Sequence, residues 1–223
     1  GEKNVDGIVI LDDLSDAMSS VQTEKFEKFL RSLCDQEGRR RSTDGGRTLD
    51  IVETQFTAIL TAESYFDDMP QSSKLRNIAQ FIDENTICNT VLSRFQQDQR
   101  VQKNSGNHSS LELYMTIFIE WVGENWKELL HRLSGYVPNP IGIKYARLEE
   151  ARRVLHGMAM LVLDFACAYG IYRGEDGRSV FYEWTRYIDE LILLNQNLCQ
   201  SAAPEVMFLS ALNDLISCGE LKI

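Results

Sequence analysis

The sequence predicts a chain that begins as α/β and ends as all-α, with helix dominating overall. Three observations predict it. The apolar run Ile8-Val9-Ile10-Leu11 leads directly into two acids, Asp12 and Asp13, and a second run from Phe56 to Leu60 ends in Thr61-Ala62-Glu63. From about Thr86 onward, apolar residues recur at helical and not alternating spacing. Short continuous apolar runs suit strands buried on both faces of a parallel sheet, where acids at the carboxyl ends lie on the edge that binds ligands. The expected division is a partial α/β core over 1–104 and a helical region over 105–223.

Taken in order, the first strand is followed by a helix from about Ser20 to Gln36, with Val21, Phe26, Phe29, Leu30 and Leu33 on one stripe. The segment from Glu37 to Arg47 then packs four arginines, Arg39, Arg40, Arg41 and Arg47, around an Asp-Gly turn, as an exposed basic hairpin or loop would. The run Phe56–Glu63 is the neighbouring strand. A turn region from Asp67 to Ser73 leads to Leu75-Arg76 and a third strand candidate, Ile78 to Asp83. Leu111, Tyr114, Phe118, Trp121, Leu129 and Leu133 mark one long helix or a kinked pair that Gly135, Pro138 and Pro140 end. A further helix runs from about Lys144 to Ile171, another carries Val180 to Leu198, and a last one starts at Pro204, a favoured first-turn position, and stops at Gly219. Short connections favour antiparallel packing into a bundle. The most linker-like stretches are 102–110 and 135–142.

Composition narrows the function classes. The 223 residues are 43% apolar, enough for a substantial core, and the net charge of -10 argues against a chain that coats nucleic acid non-specifically. The longest apolar segment, Gly157 to Tyr172, is too short to span a bilayer and is broken by Asp164, so no membrane association is expected. Five scattered cysteines, Cys34, Cys88, Cys167, Cys199 and Cys218, form no C-x-x-C pair and suggest buried thiols in a reducing cytoplasm. His108, His131 and His156 share no ligand spacing. The aromatics Trp121, Trp126, Phe181, Trp184 and Tyr187 sit at helical spacing without interleaved basic residues, so they are expected in the core and not on a base-stacking platform.

The chemistry-bearing pattern is the strand that ends in Asp12-Asp13. It has the form of a Walker B strand, in which one acid holds Mg²⁺ through water and the other orients an attacking water. Thr61 and Glu63, at the end of the adjacent strand, occupy the place of sensor residues near the terminal phosphate. Arg76 follows in the position of an arginine finger. The arginine segment lies where ring-forming motors project a hairpin, and it is expected to contact phosphates of nucleic acid or of a neighbouring subunit's nucleotide, which the rigid guanidinium fork holds well. Read without that chemistry, the acids are a solvated strand end, Arg76 is a salt-bridge partner and the arginines are a solvated charge run. No G-x-x-x-x-G-K-[ST] loop occurs in the chain. The chain therefore reads as the latter part of a longer ATPase, with Gly1 as the remnant of a removed tag.

In the order and spacing of Ile8 to Leu14, Glu37 to Arg47, Ala58 to Glu63, Leu75-Arg76 and Ala203 to Gly219, the chain resembles the C-terminal part of the domain-of-unknown-function 927 proteins, ATPase- and helicase-like proteins of phages and integrative elements. The resemblance implies a partial RecA-like P-loop sheet followed by a helical bundle. It also implies a ring-shaped homo-oligomer in the parent protein and ATP-driven movement on single-stranded or forked DNA. It assigns Mg²⁺ and water positioning to Asp12 and Asp13, with Asp13 standing where the family has Glu. It assigns sensing to Thr61 and Glu63, and a finger role to Arg76. ATP and Mg²⁺ belong to the parent; neither is expected to bind tightly to this chain alone. The competing expectation is a non-enzymatic helical protein-interaction module of a mobile element.

Overall fold

The computed structural model describes residues 7–14, 20–34, 56–63, 69–83 and 86–217. Among them, two strands and seven helices follow one another: β1 (Gly7–Leu14), α1 (Ser20–Cys34), β2 (Phe56–Ala62), α2 (Gln71–Lys74), α3 (Asn89–Ser105), α4 (Ser110–Gly135), α5 (Ala146–Ala168), α6 (Glu175–Ser201) and α7 (Pro204–Ser217). The protein is helix-dominated, with a small parallel sheet of β1 and β2. It forms two compact units, one of Gly1–Ala79 with Leu194–Ile223 and one of Gln80–Leu193.

In the first unit, β1 and β2 pair in parallel, with Val9 opposite Ala58 and Leu11 opposite Leu60. Phe26 and Leu30, one turn apart on α1, are buried with Met69, and Leu11, Leu14, Phe29 and Leu60 pack against them. Burying side chains of this size contributes about 1.5–3 kcal/mol each, which makes this cluster the main support of the sheet. The core does not reach the first turn of α1, so Val21 is exposed although the periodicity placed it on the buried stripe. The strands are not covered on both faces as expected: Ile8, Ile10 and Ile59 alternate with the packed residues and are 69%, 65% and 49% exposed.

The third strand does not form. Residues 78–83 have no strand pairing, and Ile78, Phe81 and Ile82 are exposed. The buried Asn195 side chain takes the place of a strand partner at Ala79. Its Nδ2 donates to the Ala79 carbonyl at 2.9 Å, and its Oδ1 accepts from the Ala79 N–H at 2.8 Å. Gln71 Nε2 donates to the Cys199 carbonyl at 3.1 Å, which ties α2 to the end of α6.

The second unit is built on helix packing. Ser109 caps α4 by accepting from the Glu112 N–H, while the Glu112 carboxylate accepts from the Ser109 N–H, a reciprocal capping box that fixes where the helix starts. Tyr114, Phe118 and Trp121 on α4 surround buried Phe165 on α5 in edge-to-face contacts, with ring centroids 5.3, 5.2 and 5.6 Å away. Close approach of the two helices also uses Gly157, where a Cβ would lie 2.9 Å from Leu133 Cδ2.

Three of the aromatics expected in the core are not there: Trp126, Trp184 and Tyr187 are 50%, 38% and 49% exposed, because helical spacing places them on faces that no described helix covers. Two thiols also depart from expectation, since Cys88 and Cys167 are exposed and only Cys199, of these three, is buried. Among the described residues, no helix is long and apolar enough to cross a membrane.

Candidate functional site

The parallel pairing carries the carboxyl ends of β1 and β2 to one edge of the first unit. Between Leu11, which faces Leu60, and Leu14, which faces Ala62, β1 has one residue more than β2, so Asp12 and Asp13 together stand against Thr61. This is a bulge, a feature rare in parallel pairs that re-aims side chains at a strand end. Asp13 absorbs the extra residue by adopting a left-handed backbone with φ of 56°. Asp is one of the few residues with a side chain that tolerates that region.

Thr61 ties the bulge together. Its Oγ1 accepts from the Asp13 N–H at 2.9 Å, and its hydroxyl donates to Asp12 Oδ1. The Asp13 amide, displaced from the ladder by the extra residue, is thereby satisfied through a side chain. Asp12, Asp13, Thr61, Ala62 and Glu63 line an open, shallow depression of about 410 Å³, and the two Asp, Thr61 and Glu63 side chains are exposed around it. The Asp12 and Asp13 carboxylates put hard oxygen donors at a solvent edge.

The structure thus brings together four of the sequence-predicted site residues, Asp12, Asp13, Thr61 and Glu63. Arg76 does not line the depression; its Nη1 donates to the Ser72 carbonyl at 2.6 Å, so the guanidinium folds back onto α2. Arg39, Arg40, Arg41 and Arg47 lie outside the described residues. Among the described residues, no group of three or more His, Cys, Asp and Glu side chains converges as an all-protein metal cage.

A second polar constellation, in the other unit, escaped the sequence reading. Arg152 and His156 lie one turn apart on α5, 1% and 3% exposed, and both reach Asp189 on α6. Arg152 Nε and Nη2 donate to the two Asp189 oxygens at 2.6 and 3.1 Å, and Nη2 also reaches the Asn139 carbonyl at 2.8 Å. His156 Nε2 lies 2.8 Å from Asp189 Oδ1, and its Nδ1 lies 2.9 Å from the Tyr136 hydroxyl. Burial raises the Tyr136 hydroxyl pKa. Burial disfavours the Arg152 charge, but the Asp189 and Glu149 carboxylates outweigh it and hold the guanidinium more firmly protonated. This cluster pins the 136–145 connection to α5 and α6. The only sequence signal for it was an Arg and a His at i, i+4 where the charged first half of α5 gives way to its apolar second half.

Comparison with protein-family models, with curated proteins and with solved structures gives no match for this chain.

Proposed function

We propose that the chain supplies the Walker B and sensor half of a nucleotide site in an ATP-dependent helicase or translocase of the primase-helicase type, similar to domain-of-unknown-function 927 proteins of phages and integrative elements. The observation that carries this reading is the parallel pairing that sets Asp12, Asp13 and Thr61 at one sheet edge. The donor set fits Mg²⁺, which keeps several waters and takes one or two carboxylates together with phosphate oxygens. When bound, Mg²⁺ neutralises charge that develops on the transferred phosphoryl group. Asp12 is the carboxylate that holds it, and Asp13 orients the attacking water and accepts its proton. Glu63 lies within the same depression, beside the terminal phosphate in this reading. The phosphate loop belongs to the parent protein. Arg76 serves as a finger toward a neighbouring subunit of a ring-shaped homo-oligomer in the cytoplasm, and Arg39, Arg40, Arg41 and Arg47 grip the phosphates of single-stranded or forked DNA.

The test is to neutralise each acid in the parent protein. Asp12→Asn weakens Mg²⁺-dependent nucleotide binding. Asp13→Asn leaves binding nearly intact and slows ATP turnover by about a hundredfold, the scale of a lost general base. ATPase activity within a few-fold of wild type for both variants rejects the reading.

One observation favours a second reading, a non-enzymatic helical protein-interaction module of a mobile element. Leu111, Met115, Ile119, Trp126 and Leu130 form an exposed apolar stripe along α4. ATP turnover indifferent to both acid substitutions, in a parent shown to carry a phosphate loop, leaves this second reading as the account of the chain.

A further inference from the structure

We infer that Thr61 is a positioning residue that clips the β1 bulge and aims the Asp12 carboxylate, and not a hydroxyl held in reserve for a phosphate. The inference rests on the nucleotide-site reading only for what the aimed carboxylate holds. A threonine hydroxyl has a single proton, and here that proton goes to Asp12 Oδ1. Its acceptor side is engaged as well, by the Asp13 N–H at 2.9 Å. Direct contact with a phosphate oxygen therefore requires the bond to Asp12 to break.

The bulge explains why a side chain is needed at this point. With two residues of β1 against one of β2, Asp13 takes a left-handed φ of 56° and its amide donates to the Thr61 hydroxyl and not to a ladder carbonyl. Threonine suits the task because its β-branch restricts χ1, so the hydroxyl is held in one direction. The same oxygen then fixes the backbone of one acid and the carboxylate of the other. Thr61 acts on any cation through Asp12 and without coordinating it.

The test uses the ¹⁵N-labelled 223-residue chain with Thr61→Val, Thr61→Ser and Asp12→Asn variants. Two quantities are measured: hydrogen exchange at the Asp13 amide, and paramagnetic broadening of the Asp12 and Asp13 amides by Mn²⁺. Valine keeps the shape and removes the hydroxyl; it is expected to speed Asp13 exchange by about tenfold and weaken the Mn²⁺ effect by a similar factor. Serine restores both. Asp12→Asn retains an acceptor for the hydroxyl, so it keeps the slow exchange and abolishes the broadening.

Slow Asp13 exchange in Thr61→Val overturns the clip. If that variant fails to fold, fast exchange in both Asp12→Asn and Thr61→Ser overturns it equally. Absence of Mn²⁺ broadening in the wild type even at about millimolar Mn²⁺, where the weak binding expected of the chain alone is populated, with exchange responding as expected, rejects the metal reading of the acids and leaves the clip standing.

Discussion

Arg152 holds Asp189 through both carboxylate oxygens, Nε to Oδ1 at 2.6 Å and Nη2 to Oδ2 at 3.1 Å, with the guanidinium side chain almost wholly withdrawn from water. Removing one partner strands a buried charge, which costs far more than the pair contributes when intact. Asp189→Ala is expected to destabilise the protein by about 3–5 kcal/mol. Asp189→Asn should cost less, because its oxygen still accepts one bond. Urea unfolding of the two variants, compared at constant denaturant slope, measures the difference.

The capping box makes the start of α4 sensitive to acid. The Ser109 backbone bond, with a smaller contribution from His108, holds the Glu112 carboxyl below its usual value of 4.5. Its folded value is thus lower than its unfolded one, so the stabilisation is present above about pH 4.5 and is lost as pH falls through the folded value. Amide exchange at residues 110–113 should accelerate in that window. In Glu112→Gln, whose amide caps without titrating, the pH dependence should flatten.

Asn195 supplies both hydrogen bonds that Ala79 would find in a strand, at 2.8 and 2.9 Å. Asn195→Ala leaves a backbone donor and an acceptor unsatisfied and should cost about 2 kcal/mol or more. Asn195→Asp should cost more than alanine, since it places a charge at a 1% exposed position and turns the donor to the Ala79 carbonyl into an acceptor. Thermal unfolding ranks the two, and faster Ala79 amide exchange locates the effect.

At Asp13, a left-handed backbone carries a side chain that stability alone does not require. Glycine adopts this φ freely, so Asp13→Gly should be neutral or stabilising by up to about 1 kcal/mol, even as it removes the acid from the site. Asp13→Val, β-branched at positive φ, should destabilise. Chemical denaturation of both variants compares the backbone cost with the side chain's contribution.

Helical spacing marked α1, α4, α5, α6 and α7 and the two apolar runs marked β1 and β2, whereas α2 was read as a turn and α3 runs to Ser105, into the stretch 102–110 expected to be a linker. The start of α7 at Pro204 and the end of α4 at Gly135 agree with the punctuation that proline and glycine provide. The same runs placed Asp12, Asp13, Thr61 and Glu63 at strand ends, because local pattern and chain order are sufficient for that. Tertiary structure decided what depends on partners distant in sequence. The register between β1 and β2 created the bulge, Asn195 displaced the strand expected at 78–83, and Asp189 gathered Arg152 and His156 into one buried cluster. Burial behaved in the same way: periodicity identifies an apolar face but not what covers it, so Phe26 and Leu30 are buried while Ile10, Trp126 and Tyr187 are exposed. The physical reason is that hydrogen-bonding and hydrophobic free energies belong to pairs of surfaces, and a sequence presents only one member of each pair at a time.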